Sequence, residues 1–374
     1  MSQPLDRDRP LWENWLVEGL EGGHWALVCK IHHCMVDGIA GIELLGAVLD
    51  AEADTTVGEP APWDAQPEPP GVTKVLDAWG GLATDVMATA RGLPRAVVHP
   101  RTTLRSAVAT VGGLARFAGD LVATPPLSIE GSIGPHRTWA RSSASLADVR
   151  RIRSAFGGTI NDVVLAAVSG GYRELLLSRG EDADRAQVRS LVPVSTRHDD
   201  GQGVPDNRVS TVLYDLPVHI ADPVERLHVV HEQMNELKAS HMAEAGEAVV
   251  SLGNLAPPMV VGPMSRMVIR AIHRLPQRQV NTITTNVPGP QFPLYCLGHE
   301  MLESHPFVPI CHGIRVSTAI LSYNGRLFFG ITGDYETAPD VRVLAVAAST
   351  GIERLSARAV APPERHAPER PRPQ

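Results

Sequence analysis

Four cysteines in 374 residues, Cys29, Cys34, Cys296 and Cys311, are too few for a disulfide scaffold, and none forms a C-x-x-C pair. That excludes the disulfide-rich secreted class and the common zinc and dithiol motifs. No apolar leader follows Met1, so the thiols are expected to be reduced in a cytosolic protein. A basic excess is also lacking. The formal net charge of −7 argues against nucleic acid as a partner. Long apolar runs are missing too: the uncharged stretches 248–265 and 281–299 are broken by Pro and Gly and carry Asn, Ser or Gln. No internal repeat is visible. What remains is 43% hydrophobic and 20% charged, an ordinary globular composition, long enough for two domains.

Against this background one stretch stands out, His32-His33-Cys34-Met35-Val36-Asp37-Gly38. Upstream, Trp25, Leu27, Cys29 and Ile31 alternate with Ala26, Val28 and Lys30, a half-buried strand pattern. Carrying the period of two forward puts His33 on the face of the large apolar residues and His32 on the other. Downstream, Ile39, Ile42, Leu45, Val48 and Leu49 recur at helical spacing, and Gly38 suits the tight turn between strand and helix.

Three readings of the histidines compete. One is a satisfied core residue. Another is a metal site with His33 and Asp37 as ligands, but no third ligand stands at metal spacing. The third is a general base, since imidazole accepts a proton near neutrality. Asp37 then serves structure, pairing with an arginine to fix the turn. Cys34 reads as packing.

Along the chain, 54–71 is a Pro-rich linker. Residues 72–124 read as helical, and six basic against three acidic residues give the stretch a net +3. This is either a solvated helix pair or an interfacial element touching anionic lipid. The spacing predicts helices over 145–156, 158–178 and 222–240, strands over 188–195, 279–286 and 313–322, and a hairpin at Asn324-Gly325. The tail after Arg358 should be disordered. Ser169, in Val168-Ser169-Gly170-Gly171, comes within one residue of G-x-S-x-G, but it falls inside a helical pattern rather than at an elbow. Mixed helices and strands with a hairpin-rich second half fit an α+β layered fold.

The heptad resembles the HHxxxDG signature of the CoA-dependent acyltransferase superfamily. Further motifs narrow this. Pro4-Leu5-Asp6-Arg7 with Pro10-Leu11-Trp12-Glu13, Asn161-Asp162-Val163-Val164-Leu165-Ala166, Pro193-Val194-Ser195, Asn207-Arg208-Val209-Ser210 and Asn286-Val287-Pro288-Gly289-Pro290 are similar, in order, to motifs of the bacterial wax ester synthase/diacylglycerol acyltransferase family. The resemblance implies two chloramphenicol-acetyltransferase-like lobes with a tunnel between them: 1–124 as a first lobe, 125–356 as a second, and 357–374 as a tail. In the family, on the order of a hundred residues precede the PLW motif, about half a lobe. The first lobe is therefore expected to be N-terminally truncated, with an unpaired strand edge.

The implied chemistry is O-acyl transfer from acyl-CoA to diacylglycerol or a long-chain alcohol. His33 is the base. Asn161 is the candidate oxyanion donor, with plain capping of the helix by Asn161 and Asp162 as the alternative. His32, Asp37 and Gly38 shape the turn, and Arg197 is the expected partner of Asp37, with Arg315 second. No metal or resident cofactor is expected; acyl-CoA is a substrate. Peripheral contact with anionic membrane or lipid droplets is the partner expectation, beside a cytoplasmic location. The alternatives are a lipid-binding remnant and a condensation-type acyltransferase.

Overall fold

The computed structural model describes residues 2–35, 41, 46, 48–54, 69–73, 76–77, 79–80, 125–195, 209–239, 279–311 and 313–360. Asp37, Gly38, Arg197, Asn207, Arg208, most of the 54–71 linker, most of 72–124 and the tail beyond 360 lie outside them.

The chain opens with a hairpin of β1 (Trp12–Val17) and β2 (Ala26–Ile31). Their antiparallel register sets Glu13 opposite Lys30 and Trp12 opposite Ile31. Lys30 Nζ lies 3.5 Å from Glu13 Oε2, a cross-strand ion pair. Trp12, Trp15 and Leu16 on β1 are at least half exposed.

The second half builds a six-stranded mixed sheet. After the short β3 (Glu130–Gly131) come β4 (Arg137–Ser145), β5 (Val188–Ser195), β6 (Val209–Leu216), β7 (Thr282–Val287), β8 (Tyr295–Cys296), β9 (His299–Glu300), β10 (Gly313–Ile314), β11 (Val316–Tyr323) and β12 (Arg326–Asp334). The sheet runs β4-β12-β11-β7-β5-β6, with β7 parallel to both β11 and β5 and the other neighbours antiparallel. Asn324 (φ 41°) and Gly325 (φ 78°) make the two-residue turn from β11 to β12, the double positive φ that an Asn-Gly pair accepts.

Among the described residues, four helices cover one face: α1 (Leu146–Phe156), α2 (Ile160–Ser178), α3 (Pro223–Ala239) and α4 (Val341–Val360). The core between them holds Val164, Tyr172, Leu175, Ile320, Phe329, Leu344 and Ile352, all essentially free of solvent. Tyr172 lies in this core; its hydroxyl meets Thr282 Oγ1 at 2.5 Å and Thr318 Oγ1 at 3.1 Å. α2 and α4 approach closely at Gly171, where a Cβ would stand 3.0 Å from the Leu344 carbonyl oxygen.

Two expectations need correction. The last helix continues to Val360, beyond both 356 and Arg358, because Ile352 and Leu355 carry its apolar face into the core. β4 was not expected at all. It is an edge strand of small and charged residues, so it lacks the run of β-branched side chains that marks a strand.

On the sheet's other face, residues 301–311 run without helix or strand, and the Pro306 carbonyl packs directly over Gly330. Before that, the β8–β9 hairpin reaches back to the first part of the chain. Main-chain hydrogen bonds of 2.8 Å run both ways between Asp50 and Tyr295, and Trp25 meets His299 edge to face at 6.1 Å. Cys29 on β2 stands close enough to Cys296 that, after burial, the neighbouring thiol raises its pKa above the ordinary value.

Candidate active site

The histidine pair sits just past β2. His32 N–H donates to the Leu11 carbonyl at 2.9 Å, Met35 N–H donates to the His32 carbonyl at 3.0 Å, and Cys34 N–H donates to His32 Nδ1 at 3.2 Å. These bonds close a turn over 32–35 and fix the His32 ring as the turn's acceptor. His33 is exposed and His32 half-buried. The inward orientation expected for His33 is therefore wrong. The strand ends at Ile31, opposite Trp12, the first residue of β1, and the two-residue alternation cannot be carried into a turn.

The second cluster forms at one end of the large sheet. Because β5 and β7 are parallel, their C-terminal ends lie together, and β6 begins at the same end, opposite the last residue of β5. The motifs Pro193-Val194-Ser195 and Asn286-Val287-Pro288-Gly289-Pro290 thus lie towards the same end of the sheet. Gly289 is required there, since a Cβ would stand 2.3 Å from the Ser322 carbonyl oxygen. The N-terminus of α2 comes to this end as well.

α2 starts with a capping box. Asp162 N–H donates to Thr159 Oγ1 at 3.2 Å, and Thr159 N–H donates to Asp162 Oδ2 at 2.8 Å. Thr159 and Asp162 do the capping, so Asn161 is left free of that duty. Its Oδ1 instead accepts from Asn286 Nδ2 at 3.1 Å. Among the described residues nothing accepts from Asn161 Nδ2 or from the main-chain N–H groups of Ile160 and Asn161. Uncommitted donors at the positive end of a 19-residue helix suit an anion or a developing oxyanion.

Behind the cap lie residues that no motif singled out. His231, on α3, has Nδ1 2.8 Å from Asp162 Oδ2, and Asn235 Nδ2 lies 3.1 Å from His231 Nε2. Tyr214, on β6, is buried with its hydroxyl unpartnered. Burial first, then the Asp162 and Asp215 carboxylates, push its pKa far up. The one sequence signal was the four-residue spacing of His231 and Asn235, which puts them on one helix face.

Other candidates fall elsewhere. Ser169 is wholly buried in mid-α2, and its hydroxyl donates to the Leu165 carbonyl, so it is no nucleophile elbow. Arg315 lies at the opposite end of the sheet and donates to the Ser132 and Ser128 carbonyls. No hydrogen bond or ion pair joins His33 to Asn161 among the described residues. Nor do three His, Cys, Asp or Glu side chains come together there as a metal-ligand set.

Comparison with known proteins now decides the family. The wax ester synthase/diacylglycerol acyltransferase catalytic domain matches residues 1–164, and the WS/DGAT C-terminal domain matches 206–356. The chain belongs to this family. A probable diacylglycerol O-acyltransferase of Mycobacterium tuberculosis (strain ATCC 25618 / H37Rv) is 36% identical over 368 residues, covering 96% of this chain and 74% of that protein. The fold is shared with the wax ester synthase/diacylglycerol acyltransferase of Marinobacter aquaeolei VT8, at TM-score 0.61 and 22% identity, over 96% of this chain and 74% of that one. Polyketide synthase associated protein 5 from Mycobacterium tuberculosis is a more distant likeness, at TM-score 0.50 and 17% identity, over 94% and 79% of the two chains. The α+β architecture is that of the two-lobed acyltransferases.

Proposed function

We propose that this chain transfers a long-chain acyl group from acyl-CoA to diacylglycerol, a long-chain alcohol, or both. The observation that carries the reading is the donor set at the head of α2. Attack of a hydroxyl on a thioester develops negative charge on the carbonyl oxygen. The Asn161 amide, held by Asn286 with its Nδ2 free, can meet that charge. His33 takes the hydroxyl proton as the C–O bond forms, then returns it to the departing CoA thiolate. No covalent enzyme intermediate, metal or resident cofactor is invoked. Asp37 and Gly38 hold the turn, and Arg197, two residues past β5, is the partner of Asp37.

The deciding experiment is acyl transfer by the His33→Ala variant. Turnover should fall at least about a hundredfold, the scale for losing a general base. His32→Ala should cost less turnover and more stability, because its ring closes the 32–35 turn. Equal losses, or an unaffected His33→Ala variant, remove His33 from the mechanism.

The exposure of His33 favours one second reading, a lipid-binding chain that does not turn over. Lipid binding by the parent with no measurable transfer, unchanged in His33→Ala, identifies that case.

Contact with an anionic lipid surface completes the proposal. Val72, Leu76 and Trp79, at helical spacing, are 72%, 65% and 52% exposed at the start of the net-basic 72–124 stretch. No helix among the described residues is long and apolar enough to cross a membrane.

A further inference from the structure

The Asp162 carboxylate is 1% exposed, and burying a charge is costly unless donors surround it. Oδ2 has two donors, the Thr159 N–H of the capping box and His231 Nδ1, each at 2.8 Å. Oδ1 has none. The imidazole therefore supplies half of the hydrogen bonding that this carboxylate receives. The ring is fixed in turn. Asn235 Nδ2 has only hydrogens to offer, so Nε2 accepts and the ring proton sits on Nδ1, facing the carboxylate. Gly158 makes the approach possible: a Cβ there would stand 3.1 Å from Asp162 Oδ2 and 3.4 Å from His231 Nδ1. The result is a chain of contacts in which Asn235 donates to His231, and His231 and the Thr159 main chain both donate to Asp162 Oδ2. Asn161 is one of the two residues enclosed by that capping box, directly before Asp162.

We propose that His231 is a positioning residue for acyl transfer: by holding Asp162 it locks the first turn of α2, and so aims the Asn161 amide. This rests on the reading of Asn161 as oxyanion donor and adds a residue that touches no substrate. Without the imidazole, Asp162 keeps a single donor. The carboxylate then turns towards water, the capping box loosens, and the Asn161 side chain loses its fixed direction. An oxyanion exists only near the transition state, so the loss falls on kcat and spares KM.

The test uses four variants of the full chain, assayed for acyl transfer with KM and kcat resolved for both substrates. His231→Leu should lower kcat about tenfold and leave both KM values within about twofold. His231→Asn retains a donor close to the Nδ1 position and should recover kcat to within about threefold of the parent. Asn161→Ala should lose about a hundredfold or more, the scale for an oxyanion donor. The double variant His231→Leu/Asn161→Ala should be no slower than Asn161→Ala alone, because His231 acts only through that amide. Additive losses in the double variant overturn the proposal, as does no recovery in His231→Asn. A normal kcat in His231→Leu beside a crippled Asn161→Ala refutes the role of His231 alone. An active Asn161→Ala refutes the oxyanion reading and the positioning role with it. Should His231→Leu fail to fold, the Asn variant and its double with Asn161→Ala carry the same comparison.

Discussion

Asn286 donates its side-chain amide to Asn161 Oδ1 across 3.1 Å, joining the end of β7 to the first turn of α2. The two residues come from motifs more than a hundred positions apart, and the bond settles which end of the Asn161 amide is spent. With Oδ1 engaged by Asn286, Nδ2 points away as a free donor. Asn286→Ala should leave that amide free to turn and lower kcat about tenfold. Asn286→Asp should do more harm, because a carboxylate at that point draws Nδ2 towards itself and presents oxygen to the developing oxyanion. A loss approaching the hundredfold of a deleted donor is expected, with little change in KM. Steady-state kinetics on both variants check the order; equal effects argue against the amide's orientation being what matters.

The net-basic stretch at 72–124 gives a salt-dependent expectation. Each basic residue near an anionic bilayer contributes about 1 kcal/mol. Replacing Arg91, Arg95 and Arg101 with Glu should reduce sedimentation with anionic vesicles, and raising the salt should do the same to the parent. Binding that ignores both changes would remove these arginines from any lipid contact.

Acid should find a weak point at Asp334. Its carboxylate is buried at the end of β12, which by itself pushes the pKa up. The Thr337 hydroxyl, the N–H groups of Gly134 and Thr337, and nearby Arg137 more than offset that, so the folded value lies below the ordinary one. A carboxyl with a depressed folded value stabilises the protein above its unfolded pKa of about 3.9, and that contribution disappears as the pH falls through the folded value. Asp334→Asn should cost about 1–3 kcal/mol at neutral pH. Its stability should also fall less steeply than the parent's below about pH 4. Denaturant midpoints measured across that range provide the comparison; parallel curves would show that other groups set the acid limb.

How much of this was legible depends on whether the signal was local. The Thr159–Asp162 box and the Asn324-Gly325 turn are short-range devices, and both stand where the residues put them. The pairing of Asn161 with Asn286 is set by the parallel β5–β7–β11 order, which no short window contains. His231 looked like any half-exposed histidine on a polar helix; only the placement of α3 beside the cap gives it a partner. β4 escaped because an edge strand needs little apolar periodicity. His33 was misdirected by a local rule carried two residues too far, past the point where β1 stops pairing.

The clasp between the β8–β9 hairpin and Asp50 bears on the order in which the protein assembles. Those two hydrogen bonds, with the Trp25–His299 contact, unite segments near opposite ends of the chain. Loop closure over such a span is slow to be rewarded, whereas the β11–β12 hairpin pairs near neighbours across a two-residue turn. That hairpin should therefore form early, and the clasp should close late, after the rate-limiting barrier. Weakening it would leave the folding rate almost untouched and hasten unfolding, so that the segment bearing His32 and His33 lets go of the rest before the sheet itself gives way.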